Sequence, residues 1–179
     1  MEINNLSVNV MSRMENKKFR IKRIRKDGNC LFNAISLHMY GFETYHQQIR
    51  EEAVQYVVEH WKELKEHLVE SNPARQVQTQ SQYCTRMKKL GTYGTSIEIL
   101  AIAETQKLNI YVHTSNINVK GEEFTSTERP SRISKRDYGQ EVHLLLIGNK
   151  ESGHFELLIP APENNPSNEM PDEQTESEE

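Results

Sequence analysis

Apolar residues recur every three or four positions through much of the chain, which is the spacing of one helix face. The clearest series comprises Ile49, Ala53, Val57, Trp61, Leu64 and Leu68. This series predicts either one long helix over 45–70 or two helices separated by a kink. An earlier apolar series between 31 and 39 predicts a buried helix that stops at Gly41.

Two more helical segments are indicated farther along the chain. The stretch 74–91 has a weaker apolar pattern, made of Tyr83, Met87 and Leu90. After a glycine-containing loop, a further helix is predicted to begin near Thr95 or Ser96. We expect Ser96 to cap it, because a serine side chain accepts a hydrogen bond from the unpaired N–H groups of a first turn.

Alternating and β-branched segments predict strands at both ends of these helices. The predicted strands are the alternating stretch within 17–26, the segment 109–114, and the two segments 142–148 and 154–160. Glycines on both sides of the last connection favour an antiparallel hairpin. We expect a long loop with one short strand over 115–140. The fold class is therefore α+β, with a small mixed or antiparallel sheet flanked by helices.

Charge and composition divide the 179-residue chain into three parts. Residues 1–16 are polar and aperiodic, and we expect a flexible N-terminus. The segment 161–179 has seven acidic residues, no basic residue and three of the six prolines, which predicts a disordered acidic tail. One domain over 17–160 remains between them.

Cysteine content and hydropathy narrow the class of protein. Cys30 and Cys84 are the only cysteines and form neither a disulfide framework nor a CxxC metal pair. No apolar run approaches the roughly 20 residues that a membrane helix needs, and residues 1–20 have no continuous apolar stretch of the secretory type. We therefore expect reduced thiols, a cytoplasmic or nuclear location, no membrane partner and no cofactor or metal. Cys84 is assigned no role.

Cys30 follows a turn and opens an apolar helix in the stretch "DGNCLFNAIS" (27–36). A helix N-terminus lowers the pKa of a thiol, and unpaired N–H groups of the turn can hold an oxyanion. A lone cysteine beside apolar residues is equally well explained as a small buried hydrophobic residue. The residues around Cys30 leave these two interpretations about even.

A cysteine nucleophile needs a base, which is normally a histidine oriented by a third polar group. Among seven histidines, His154 follows Gly153 and opens the last strand, at a sheet edge beside a loop. His143 lies within the preceding strand and is the main competitor. Position alone favours His154 over His143 only modestly.

Two separated motifs resemble one known family. The stretches 27–36 and "SGHFELLI" (152–159) resemble the cysteine and histidine boxes of the OTU (ovarian tumour) cysteine proteases. The segment 91–112 resembles the family's central segment, with Tyr93-Gly94 where Trp is usual. The resemblance extends over about 17–160 and implies the OTU-like cysteine protease fold.

The resemblance also implies site residues. Cys30 matches the nucleophile and His154 the general base, while the backbone N–H groups of Gly28, Asn29 and Cys30 match the oxyanion hole. Two acids compete to orient His154. One is Asp27, which matches a loop aspartate of the family, and the other is Glu156, which stands where the family often has Asn or Asp.

The activity that the resemblance implies is that of a deubiquitinase, a ubiquitin isopeptidase of the thiol protease class. The enzyme would cut after the C-terminal glycine of ubiquitin through a thioester, acting as a monomer on ubiquitin or polyubiquitin conjugates or on a ubiquitin-like modifier. One alternative is a catalytically inactive OTU fold that binds ubiquitin. Another is a nucleic-acid-binding module that uses the seven basic residues of 17–26, which the acidic tail disfavours.

Overall fold

The computed structural model describes residues 16–71, 79–114, 119–150 and 152–162. The predicted flexible N-terminus, apart from Asn16, and the predicted tail beyond residue 162 lie outside the described residues. The described residues therefore cover most of the predicted domain 17–160 and its immediate ends.

The helices follow the predicted apolar series closely. In the described ranges they are α1 (Cys30–Tyr40), α2 (His46–Glu59), α3 (Trp61–Ser71), α4 (Gln80–Lys88) and α5 (Ser96–Gln106), with a 3-10 turn at Glu43–Tyr45. Gly41 ends α1, as predicted, and takes the left-handed conformation. No helix of the described part has the length and apolar content needed to cross a membrane.

Seven strands form one mixed sheet in the described part of the chain. They are β1 (Lys18–Lys22), β2 (Asn109–Thr114), β3 (Val119–Lys120), β4 (Glu123–Thr125), β5 (Ser131–Ile133), β6 (Glu141–Ile147) and β7 (His154–Pro160). Their order is β3-β4-β1-β7-β6-β2-β5. The β2–β6 pair is parallel and the other pairs are antiparallel. The α+β prediction with a mixed sheet is confirmed.

The sheet has a buried cluster on each face. The larger one joins the helices to one face and includes Phe32, Ile35, Val57, Ile102 and Leu157. The smaller one covers the opposite face and consists of Phe19, Ile21, Phe124, Leu145 and Leu158. Alternation along β1 buries its two apolar residues and exposes Lys18, Arg20 and Lys22.

Of the two alternatives predicted for 45–70, the pair of helices is correct, whereas helix details differ from the sequence predictions at two other places. The segment 45–70 forms two helices, because the chain leaves helical geometry at His60 (φ −103°, ψ 24°). Leu90 is 49% exposed and follows α4 instead of packing with it. The cap of α5 is Thr95, whose N–H and hydroxyl both donate to Glu98 Oε2 (2.7 and 2.9 Å), whereas Ser96 is exposed.

The stretch 115–140 is also more structured than predicted. Its described part contains β3, β4 and β5, where the sequence indicated a single short strand. These strands have two or three residues each, too few for an alternating pattern to be recognised. They add edges to the sheet on both sides, beside β1 and beside β2.

Candidate active site

Cys30 is the first residue of α1 and is 3% exposed. Its thiol lies next to the backbone N–H of Phe155, the residue that follows His154, so the fold brings α1 and β7 together. Burial raises the pKa of the Cys30 thiol and the nearby Asp27 carboxylate adds to this, while the N–H groups of Phe155 and Leu31 oppose it. The helix N-terminus was expected to lower this pKa, but desolvation outweighs it. The thiol therefore needs a base.

Asp27 is used within its own loop. Burial disfavours its ionised form, but the hydrogen bonds that Asn29 and Asn33 donate, with the charge of Arg25, outweigh burial and lower the pKa of Asp27. The Asn29 N–H donates to Asp27 Oδ1 at 2.9 Å, and the Asn33 amide does so at 3.4 Å. Because the Asn29 N–H is engaged in this way, the oxyanion donors that remain in the predicted set are the N–H groups of Gly28 and Cys30.

Asn29 ties the cysteine loop to the loop after α4. Its Oδ1 accepts hydrogen bonds from the Gly91 N–H (2.8 Å) and from Arg50 Nη2 (2.9 Å). Gly28 has φ +77°, and a Cβ there would lie 2.0 Å from the Gly91 carbonyl oxygen. The backbone of the predicted oxyanion hole is therefore held in place by Arg50 and Gly91, which lie outside the stretch 27–36.

Arg50 is the buried cation that supports this loop. Its side chain is fully buried, lies over the Phe32 ring at 4.0 Å and donates to the Met87 carbonyl oxygen at 3.1 Å. Burial lowers the pKa of Arg50 to about 10, which leaves it charged at neutral pH. Sequence reasoning missed Arg50, because it stands among charged residues of an amphipathic helix and has no motif around it.

His154 opens β7 and is 8% exposed. Its Nε2 lies 3.3 Å from Glu156 Oε1, at an angle outside hydrogen-bond geometry. The two residues share one face of the strand, while Phe155 packs on the other face, towards the helices. Because Nε2 faces the carboxylate, Nδ1 is the ring nitrogen available to a thiol.

The competing histidine belongs to a different cluster. His143 Nδ1 lies 2.9 Å from His113 Nε2, and both rings pack against Phe19. Position along the chain pointed only weakly to His154 over His143, and the structure places His154 beside the residue that touches the thiol.

Comparison with known proteins identifies the family. The family model described as OTU-like cysteine protease matches residues 25–149. The chain belongs to this OTU family. The match includes Cys30, the loop before it and the loop after α4 that contains Gly91. It stops five residues before His154, so the assignment of roles to His154 and Glu156 relies on the sequence motif and on the geometry.

Relatives with the same domain come from distant organisms. OTU domain-containing protein 5-A of Danio rerio is 26% identical over 138 residues, which are 75% of this chain and 23% of that protein. The ovarian tumor domain-containing deubiquitinating enzyme 6 of Arabidopsis thaliana is 26% identical over 121 residues, 66% of this chain and 22% of the relative. The chain thus spans less than a quarter of the length of these relatives.

Solved OTU structures share the fold. The OTUD1 OTU domain is 21% identical with a TM-score of 0.60, covering 88% of this chain and 94% of that one. The Hazara virus OTU, solved bound to ubiquitin, is 16% identical with a TM-score of 0.60, covering 81% and 83%. The mixed sheet with helices described above is therefore an OTU fold.

Tyr93 and Gly94, which the sequence resemblance matches to the family's central segment, lie beside the candidate site. The Tyr93 ring stacks on Phe155 (centroids 5.7 Å apart, 11° between planes), and burial raises the pKa of its hydroxyl, with the nearby Cys30 adding to the effect. A Cβ at Gly94 would lie 2.7 Å from Leu31 Cδ2. Tyr93 therefore packs on β7, and Gly94 lies against the first turn of α1.

The structure shows no metal-binding arrangement in the residues it describes. No group of three or more His, Cys, Asp or Glu side chains there is placed to hold an ion. Cys30 and Cys84 are both free, and Cys84, half-buried on α4, packs against the larger core cluster.

Proposed function

We propose that this OTU-family protein is a thiol-dependent deubiquitinase that hydrolyses isopeptide bonds after the C-terminal glycine of ubiquitin. The observation that carries the proposal is the meeting of α1 and β7, with the Cys30 thiol beside Phe155 and Glu156 beside the His154 ring. Support comes from a relative named as a deubiquitinating enzyme and from OTU structures solved with ubiquitin.

In the proposed reaction, His154 takes the proton of the Cys30 thiol, and the thiolate attacks the carbonyl carbon of the terminal glycine. The N–H groups of Gly28 and Cys30 stabilise the resulting oxyanion. His154 then gives its proton to the departing lysine amine as the C–N bond breaks and a thioester remains. Finally, His154 removes a proton from water, which attacks the thioester and releases the glycine carboxylate and the thiol.

Glu156 is the proposed orienting acid. It lies 3.3 Å from the His154 ring, whereas the hydrogen bonds of Asp27 go to the Asn29 backbone and the Asn33 side chain. The role of Asp27 is then to shape the turn before Cys30 and to keep the oxyanion loop in position.

A catalytically inactive ubiquitin-binding protein is the second candidate. It is favoured by one observation: Cys30 is 3% exposed, and burial raises the pKa of its thiol. The nucleic-acid interpretation of 17–26 is weaker, since Arg23 and Arg25 pair with Glu156 and Glu43. We propose a monomer in the cytoplasm or nucleus that acts on ubiquitin or a ubiquitin-like modifier.

The test is reaction with ubiquitin that carries an electrophile at its C-terminus. The native protein should form a covalent adduct, Cys30→Ala should form none, and His154→Ala should react about 100-fold or more slowly because the base is lost. Cys84→Ala is the matched control and should react like the native protein. The same assay should show a larger loss for Glu156→Ala than for an Asp27→Asn variant.

Absence of an adduct in the native protein would contradict the deubiquitinase proposal. A titration with unmodified ubiquitin then separates the remaining cases. Binding without reaction would establish the inactive ubiquitin-binding protein. If no binding occurred, probes built on ubiquitin-like modifiers would come next.

A further inference from the structure

Arg23 follows β1 and reaches the candidate site from the basic run 17–26. Its Nη1 lies 3.4 Å from Glu156 Oε1, and its Nη2 donates to the Gly121 carbonyl oxygen at 3.1 Å. Neither contact is local, because Glu156 is 133 residues away in sequence and Gly121 is 98. The guanidinium group thus bridges the β3–β4 turn and the start of β7.

Glu156 is held at both of its oxygens by consecutive residues. The Ile24 N–H donates to Oε2 at 2.5 Å, while Oε1 lies between Arg23 Nη1 and His154 Nε2. Two separate contacts on one carboxylate limit the rotation of its terminal torsion. The oxygen that faces the imidazole is the one that Arg23 contacts.

Burial makes these contacts necessary. Glu156 is 2% exposed, and an ionised carboxylate without a partner is strongly disfavoured at such a site. Loss of the Arg23 contact would leave Oε1 of this buried carboxylate without its cationic partner and less firmly fixed towards the imidazole. The Arg23 side chain itself is 52% exposed, so the pair sits at the rim of the site.

A neighbouring pair shows what an ordinary surface contact looks like here. Arg25 and Glu43 lie 3.2 Å apart with side chains 72% and 23% exposed, and such a pair contributes little to stability. The Arg23 pair differs because its acid is buried and because that acid also faces His154.

We propose that Arg23 is a positioning residue that acts through Glu156, keeping its carboxylate aligned with His154 for proton transfer. The expected effect on kcat rests on the proposed function, because it requires that the protein cleaves ubiquitin conjugates. It also gives a role to one residue of the basic run, which the reaction itself leaves without one.

The test is a double-mutant cycle between Arg23→Gln and Glu156→Gln, with kcat and KM measured on a fluorogenic ubiquitin amide. Arg23→Gln should lower kcat about tenfold with KM changed less than about twofold, because the effect is on chemistry. In the Glu156→Gln background the same change should cost less than about twofold. Arg23→Lys, which keeps a cation, should recover most of the loss. Arg20→Gln removes the same charge from the exposed face of β1 and should behave like the native protein.

A second readout needs no ubiquitin. The rate of Cys30 alkylation by iodoacetamide at pH 7, resolved by peptide mass spectrometry, should fall about fivefold in Arg23→Gln, with little further change in the double variant. The alkylation rate of Cys84 in the same samples is the internal control and should not change.

The outcomes separate the two proposals. If the native protein cleaves no ubiquitin, the deubiquitinase proposal fails and the alkylation cycle still decides the role of Arg23. Equal losses in the two backgrounds, or a rise in KM with kcat unchanged, would overturn the positioning role, because Arg23 would then act elsewhere or on the substrate.

Discussion

Two glycines with nearly the same positive φ have different surroundings. Gly28 has φ +77° and faces the Gly91 carbonyl oxygen, which a Cβ would approach to 2.0 Å. Gly41 has φ +78° and has no atom within 4 Å of a Cβ position. At the residue scale, therefore, only one of the two positions combines backbone strain with a steric block, and it is the one in the candidate oxyanion loop.

Gly41→Ala should cost about 1 kcal/mol of unfolding free energy, the usual penalty of a left-handed alanine. Gly28→Ala should cost about 3 kcal/mol or more, because the loop before Cys30 and the loop that contains Gly91 must also move apart. Urea denaturation of both variants measures the difference. Reaction with the ubiquitin probe should be abolished only in Gly28→Ala. Equal unfolding free energies in the two variants would show that the loop contact imposes no constraint.

At the element scale, the start of α5 is stabilised by a side chain one residue before the expected cap. Glu98 accepts from Thr95 with Oε2 and from the Tyr83 hydroxyl with Oε1, which joins α5 to α4. All three hydrogen bonds are buried. The helix that leads into β2 is thus anchored at its N-terminus by one carboxylate.

Thr95→Ala should therefore lower the unfolding free energy by about 1 kcal/mol, the cost of losing a cap. Ser96→Ala is the matched control and should change the unfolding free energy by less than about 0.5 kcal/mol. The Ser96 side chain is exposed, and the substitution removes no hydrogen bond seen in the described part of the chain. Thermal or urea unfolding decides between them. A larger loss of unfolding free energy in Ser96→Ala than in Thr95→Ala would show that Ser96 is the capping residue, as the sequence indicated.

At the scale of the whole molecule, a buried histidine pair links stability to pH. Burial lowers the pKa of His113 and of His143 to about 3, and the charge of Lys17 adds to the effect at both. His113 Nε2 lies 2.9 Å from His143 Nδ1. An unfolded histidine titrates near 6.5. Below pH 6.5 the unfolded chain binds protons that the folded protein excludes, so stability is complete above pH 6.5 and falls as pH drops towards 3.

Between pH 6.5 and 5, each of these histidines should remove about 2 kcal/mol of unfolding free energy. The difference in unfolding free energy between pH 7.5 and pH 5 should shrink in His143→Phe and shrink further in the His113→Phe/His143→Phe variant. Urea denaturation at the two pH values provides the measurement. An unchanged pH difference in the double variant would place the acid sensitivity in other groups.

Much of the fold was predictable because its signals are local. Helix faces, the stop at Gly41, the alternation of β1 and the last hairpin each arise within one continuous segment. The short strands of 115–140, the exposure of Leu90 and the cap at Thr95 were not predicted, since each depends on which distant surface a segment packs against. The candidate nucleophile and base were indicated by motifs, and their roles stay predictions until activity is measured.

The sequence by itself determined the fold class, the family resemblance and the candidate pair Cys30 and His154, because motif and periodicity are properties of neighbouring residues. Tertiary structure alone decided what surrounds that pair. Asn29 meets Arg50 across 21 residues and Gly91 across 62, and Glu156 meets Ile24 across 132. It also decided that burial raises the pKa of the Cys30 thiol, since desolvation depends on everything that packs around a group and a helix N-terminus depends only on its own first turn.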